Sequence, residues 1–252
     1  MTDFEVNLDG RQSRVTVATS ELETVHLPVL HDLERRWRER RGRFVVFLSG
    51  PPGSGKTTLA GLWEQLALQG QIAVPVQALP MDGFHYPNQV LDSRWVTIDG
   101  APMPLRRIKG RPETFDLQSL RQSLCALKAG KQVLWPRYDR TLHDPLPVGI
   151  PVLREGVLVV EGLYLLLDIP EWKELRAEAD WSVFVECPEA VLRADLLARK
   201  QSQGRSIEDA VKHYDLVDHY TWNLTMRHRQ RSDVLLRTGP GRHLELVSGT
   251  HE

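Results

Sequence analysis

Apolar residues recur along this chain in two rhythms. Phe44-Val45-Val46-Phe47-Leu48, Val157-Leu158-Val159-Val160 and Val183-Phe184-Val185 are unbroken apolar runs, as expected of strands covered on both faces. Candidate core strands at 44–49, 74–81, 157–161, 181–186 and 233–237 alternate with helical patterns at 56–69, 116–129, 188–203 and 206–229. That alternation predicts an α/β fold, a parallel sheet flanked by helices. Upstream, Phe4-Glu5-Val6-Asn7-Leu8 and Val15-Thr16-Val17 alternate around Asp9-Gly10, the pattern of a small hairpin. Ser20 then resembles the N-cap of a helix running to about Arg41, with Leu22, Val25, Leu30 and Leu33 on its apolar side and Gly42 at its end. The chain so divides into an N-terminal extension, 1–41, and a main domain, 42–252. Between 83 and 115 it is rich in Pro, Gly and Arg and too long for a simple turn, so small elements or a functional loop are expected there.

The junction after the first buried-type strand carries the sharpest chemical signal. Gly50-Pro51-Pro52-Gly53-Ser54-Gly55-Lys56-Thr57 fits G-x-x-x-x-G-K-[ST], a phosphate-binding P-loop. Glycines let the backbone wrap a phosphate without Cβ clashes. Lys56 brings positive charge to the β/γ-phosphates, and the Thr57 hydroxyl is a hard oxygen ligand suited to Mg²⁺. The helix from Lys56, Thr57 and Thr58 onward points its positive dipole end at the phosphates, and Gly70 is placed to end it. Strand, loop and capped helix in that order make the match specific for nucleotide binding, though not for a reaction.

Composition narrows the rest. Across 252 residues, 32 Lys+Arg nearly balance 33 Asp+Glu, giving a net charge of −1, without the basic excess of a nucleic-acid binder. The dense run Arg35-Arg36-Trp37-Arg38-Glu39-Arg40-Arg41 reads as a solvated helix face. No apolar stretch approaches the roughly 20 residues that span a bilayer, and the start lacks a signal-peptide pattern. Cys125 and Cys187 form no C-x-x-C pair. A cytoplasmic protein with no membrane or nucleic-acid partner is expected, with the N-terminal hairpin either a candidate homodimer interface or a cover for the sheet edge.

Ligands of open parallel sheets sit at the carboxyl ends of the strands. Asp82 follows one strand and suits a general base for an attacking hydroxyl; the plainer role is a turn cap before Gly83. Glu161 ends another, where a carboxylate can hold Mg²⁺ or be merely structural. Arg193, Arg199 and Lys200 lie on the helical pattern after Pro188, either as a lid over the nucleotide or as a wet helix face. Arg193 and Lys200 share a face by spacing, whereas Arg199 stands four beyond Asp195 and can pair with it. His85, Arg111, Tyr138, Arg140 and His143 are candidate contacts to an acceptor, whether it presents hydroxyls, a carboxylate or a phosphate.

Several of these segments occur together in one known group. The P-loop, Leu79-Pro80-Met81-Asp82-Gly83-Phe84-His85-Tyr86-Pro87-Asn88, Lys109-Gly110-Arg111-Pro112-Glu113-Thr114-Phe115-Asp116, Pro136-Arg137-Tyr138-Asp139-Arg140 and Val159-Val160-Glu161-Gly162 resemble the phosphoribulokinase/uridine kinase/bacterial pantothenate kinase group, over roughly residues 20–240. The nearest resemblance is to its fructokinase-like, nucleoside-triphosphate-hydrolase-domain branch. The resemblance implies the P-loop NTPase fold with a five-stranded parallel core and a helical lid, ATP with Mg²⁺, and phosphorylation of an alcohol on a small molecule such as a sugar, nucleoside or pantothenate-like compound. It places the catalytic aspartate on Asp82 and acceptor contacts on Tyr138 and His143. The lid departs from uridine kinases in having Ala194, Asp195 and Ala198 where basic residues are usual. After the lid, Asp218 is followed by His219-Tyr220-Thr221 where the nearest branch has Gly-Pro-Asn. The rival class is a P-loop ATPase that acts as a switch through protein partners. No Asn is followed by Lys, so the base-reading motif of GTPases is absent; Glu161-Gly162 replaces the acidic pair of mechanical ATPases; and no Leu-Ser-Gly-Gly-Gln signature occurs.

Overall fold

The computed structural model describes residues 1–8 and 11–248; the expected Asp9-Gly10 turn lies outside them. Strands β1 (Thr2–Leu8) and β2 (Arg11–Val17) pair antiparallel as a hairpin. A helical segment follows from Thr19, passes through a π turn at Leu22–His26 and continues as α1 (Leu27–Arg40). Its N-cap is Ala18, with no side-chain capping bond, in place of the expected Ser20. Leu22, Val25, Leu30 and Leu33 are buried along it, and Arg41 and Gly42, both at positive φ, end it.

The central sheet alternates with helices in the predicted order: β3 (Arg43–Ser49), α2 (Lys56–Leu68), β4 (Val76–Pro80), then, after small elements, α4 (Leu117–Lys128), β9 (Gly156–Gly162), β10 (Trp181–Glu186), α5 (Glu189–Ser202), α6 (Ile207–His213), α7 (Tyr220–Arg227) and β11 (Val234–Thr238). The small elements are α3 (Asn88–Ser93), the hairpin β5 (Trp95–Ile98) with β6 (Ala101–Pro104), and the hairpin β7 (Leu134–Asp139) with β8 (Asp144–Pro151). The sheet order is β12-β11-β10-β3-β9-β4. Five strands are parallel; a sixth, β12 (Leu244–Ser248), was not expected and runs antiparallel beside β11. Leu244 and Leu246 hold it in place by packing on the core. A second departure is the stretch 206–229, which is not one regular helix: a π turn at Tyr214–His219 separates α6 from α7.

Strand pleating divides the core into two layers. Phe44, Val46, Leu48, Val157, Val159, Val183 and Val185 pack with α1, α2 and the hairpin residues Phe4, Val6 and Val17. Val45, Phe47, Leu158, Val160 and Phe184 pack on the other face with α4 and the segment 164–175. Both faces of the central strands are covered, which is why their sequences are continuously apolar. The in-register pairing of Glu161 with Leu48 on one side and with Pro80 on the other brings the carboxyl ends of β3, β9 and β4 to one level.

Candidate active site

That level is where the P-loop turns into α2. Gly53 and Gly55 adopt φ of +74° and +88°, conformations that an L side chain rarely takes, and a Cβ on Gly50 would lie 2.7 Å from the Val185 carbonyl oxygen. The sequence needs glycine there to let the loop close on itself at the start of the helix. Lys56, the first residue of α2, is only 7% exposed. Its ammonium donates to the Pro51 carbonyl at 2.9 Å and lies 3.4 Å from the Ser54 hydroxyl, arching over the loop. Burial pushes its pKa down to about 8, against the opposing fields of Glu161 and Asp82.

The Thr57 hydroxyl donates to Glu161 Oε1 at 2.9 Å, joining the first turn of α2 to the carboxyl end of β9. Glu161 is 5% exposed. The pair offers two oxygen donors beside the phosphate loop. Among the described residues no group of three or more His, Cys, Asp and Glu could hold a metal alone. A site with one or two protein oxygens, completed by phosphates and water, is the arrangement Mg²⁺ favours.

Asp82 lies two residues beyond β4, in the 3₁₀ turn Met81–Phe84. Its carboxylate forms an ion pair with Arg140 at 3.2 Å. Burial works to raise the Asp82 carboxyl, but neighbouring positive charge, led by Arg140 and including Lys56 and Arg199, holds it below its ordinary range. It stays ionised at neutral pH. Gly83 is required by contact: a Cβ there would sit 2.2 Å from the Pro136 carbonyl oxygen of β7. The turn bearing Asp82 is therefore pressed against the β7–β8 hairpin, which carries Tyr138 and Arg140.

The other expected acceptor contacts are spread more widely. His85 is buried; its Nδ1 lies 2.9 Å from the Asp82 carbonyl, and its ring packs 3.8 Å from Phe115 and 5.3 Å from Tyr138. Burial pushes its pKa down to about 4, so the ring is neutral at pH 7. Tyr138 faces this group and the Lys109 ammonium, 5.1 Å from its ring centre. His143 sits exposed at the hairpin turn with φ of 53°. Arg111 is engaged within the chain: its Nε and a second nitrogen donate to the Leu216 carbonyl, the first at 2.9 Å, and its guanidinium stacks 3.8 Å from the Tyr220 ring. It fastens the π turn at 214–219.

The lid helix α5 also separates its basic residues. Arg199 faces the site, close enough for its charge to act on Lys56 and Asp82. It does not pair with Asp195, whose partner is Arg242. Arg193 lies over the Tyr214 ring at 5.3 Å, and its charge is not among those that act on Lys56 or Asp82. Lys200 is buried in an ion pair with Asp218 at 2.9 Å.

Two further cations were not among the expected site residues. Arg242, after β11, donates to the Gly53 carbonyl at 2.9 Å and pairs with Asp195, linking phosphate loop and lid helix. Lys109 donates to Asn88 Oδ1 and to the His143 carbonyl, both at 2.7 Å, and fixes the hairpin turn. Lys109 at least stands in a recognisable segment, whereas Arg242 is 189 positions from its loop partner. No described helix is long and apolar enough to cross a membrane.

Comparisons with known proteins agree with this fold. The sequence profile described as "Phosphoribulokinase / Uridine kinase family" matches residues 45–245. The chain is 36% identical over 242 residues to the Escherichia coli K12 protein named "Uncharacterized protein YggC", covering 95% of this chain and 98% of that one. It is 30% identical over 159 residues to a pantothenate kinase of Serratia proteamaculans, covering 60% of this chain but 48% of that enzyme. Among solved structures, a "putative fructose transport system kinase" from Silicibacter sp. TM1040 superposes with a TM-score of 0.73 at 33% identity, covering 84% of this chain and 98% of the other.

Proposed function

The chain belongs to the phosphoribulokinase/uridine kinase family, P-loop kinases that transfer a phosphoryl group from ATP to a hydroxyl of a small molecule, and on that premise we propose how its own residues divide the work. The loop Gly50–Gly55 cradles the phosphates with Lys56, Thr57 and Thr58 at the helix start. Thr57 and Glu161 would hold Mg²⁺, which when bound would supply positive charge to offset that of the phosphates. Asp82 orients the acceptor hydroxyl and takes its proton. Its low pKa makes it a weak acceptor, which suits a loose transition state in which the proton leaves late. Arg140 and Arg199 face the charge that develops between Lys56 and Asp82, while Tyr138, His85 and His143 shape the acceptor side.

The observation that carries this reading is the convergence of Lys56, the Thr57–Glu161 pair and the Asp82–Arg140 pair at the carboxyl ends of three neighbouring strands. The test is ADP release with and without small alcohols, in wild type and Asp82→Asn. Release should require an acceptor. In the variant the rate should fall by about 10²–10⁴-fold while the ATP dissociation constant is unchanged. Release at the same rate without an acceptor would favour a switch ATPase, and parallel loss of ATP binding would move Asp82 into the nucleotide site.

A further inference from the structure

A cleft of about 320 Å³ opens from the Thr57–Glu161 pair and runs down the outer edge of β4. One wall is α2, with Ala60 and Glu64; the other is the β7–β8 hairpin, with Arg137 and Tyr138; the N-terminal hairpin closes it with Asn7. The hairpin is held there by close packing. A Cβ on Gly61 of α2 would lie 3.3 Å from the Asn7 carbonyl oxygen and 3.6 Å from Val6, so glycine lets β1 lie directly on the helix. Residues 2–17, which form this wall, precede the stretch that the family profile matches, 45–245.

We propose that this cleft is the acceptor pocket and that it takes an uncharged polyol of monosaccharide size, selected by Asn7 and Glu64. The inference rests on the kinase reading above and specifies its substrate class. One end of the cleft is formed by Thr57, Glu161 and Pro80, so a ligand lying in it has its head at the Thr57–Glu161 pair, with Asp82 two residues along the chain from Pro80. Size points to a small molecule, because ligand pockets start at about 300 Å³. The lining supplies an acceptor-only carboxylate (Glu64), a donor-only guanidinium (Arg137), and an amide and a phenol that do both (Asn7, Tyr138). Sugar hydroxyls, each donor and acceptor, can satisfy such a mixture at every position. Glu64 receives the Ala78 N–H at 3.4 Å, and burial raises its carboxyl, so hydroxyl donors entering the cleft would replace solvation it has lost.

Two other acceptor classes fit less well. A nucleobase needs an aromatic platform, and the one aromatic residue of the lining, Tyr138, has the Lys109 ammonium near its ring and His85 packed beside it. A carboxylate-bearing alcohol would meet two carboxylates, Glu64 and Glu161, against one guanidinium. Small walls at Ala60, Ala78 and Gly149 leave room for ring substituents without selecting for apolar bulk.

The experiment is calorimetric titration of the full chain, held in its Mg²⁺–AMP-PNP complex, with D-fructose, D-glucitol, D-ribose, uridine and pantothenate. At least one polyol should bind wild type. In both Asn7→Leu and Glu64→Gln its dissociation constant should rise by about tenfold or more, with AMP-PNP affinity unchanged. Asn7 is exposed, so its replacement does not open the core, and retained AMP-PNP binding reports that the fold is intact. Tighter binding of uridine or pantothenate than of any polyol overturns the proposal. So does polyol binding that ignores both substitutions, or no polyol binding at all. Because the readout is binding without turnover, it stands apart from the Asp82 test. A polyol phosphorylated with a KM that Asn7→Leu leaves unmoved would sink the pocket and leave the kinase assignment standing.

Discussion

Replacing Lys56 by methionine should destroy phosphoryl transfer and, in the absence of nucleotide, make the protein more stable. The ammonium is 7% exposed, and burial lowers its pKa from 10.5 to about 8. At 1.36 kcal/mol per unit, that is a cost of about 3 kcal/mol for keeping it charged in the folded state. Loss of its contacts to Pro51 and Ser54 offsets about 1 kcal/mol. The expected net gain at pH 7 is about 2 kcal/mol. The sign with pH follows from linkage. Between pH 8 and 10.5 the unfolded chain holds more protons on this lysine than the folded one, so wild type gains stability as pH rises through that window. The variant has no such group, and its advantage should fade by about pH 10. Urea unfolding of both proteins at pH 7 and pH 10, without ligand, measures the difference while other titrating groups cancel. A variant less stable than wild type at pH 7, or an advantage that does not change with pH, would refute the claim that burying the Lys56 ammonium costs the folded protein stability.

Three further outcomes are expected. Thr57→Ala and Glu161→Gln should each raise the Mg²⁺ concentration that gives half-maximal rate; a wild-type Mg²⁺ titration in Glu161→Gln would make that carboxylate structural. Arg199→Ala should lower kcat by about tenfold or more, whereas Arg193→Ala should leave it nearly unchanged; the reverse order would return Arg193 to the phosphate site. Lys200→Met should cost about 3–5 kcal/mol in chemical unfolding by leaving Asp218, 8% exposed at its side chain, without its cation. The double variant Lys200→Met/Asp218→Leu should regain most of that stability, and failure to do so would mean the pair matters for more than its charge.

The sequence made the sheet and the phosphate loop readable because both are local. A buried strand announces itself by consecutive apolar residues, and the P-loop packs its chemistry into eight positions. Glu161 could be placed because strand ends converge in a parallel sheet. The β7–β8 hairpin was hidden by Pro136, Pro145, Pro147 and Pro151, which normally argue against a strand. Those prolines are tolerated because the hairpin is a separate two-stranded sheet, in which each strand has one unpaired edge. Strand β12 was missed because it is five residues long and antiparallel to an otherwise parallel sheet. Arg111 and Arg193 make contacts that the sequence did not announce, for a common reason. Spacing shows that a basic side chain is available, but not whether a carbonyl or ring such as Leu216, Tyr220 or Tyr214 has already engaged it. Asn7 and Arg242 reach the site only through tertiary packing, so no pattern around them could signal a role.

The contact between Gly83 and Pro136 bears on how such an enzyme can be retargeted. A designer wishing to change substrate would reach first for the β7–β8 hairpin and graft in a different one. With the Asp-Gly-Phe turn resting on the Pro136 backbone, a transplant that displaced this strand by even half an ångström would drag Asp82 along. The recipient would lose turnover without losing ligand affinity, and the fault would be blamed on the new contacts. Grafts should therefore begin after Pro136, or carry residues 81–84 along as part of the same cassette.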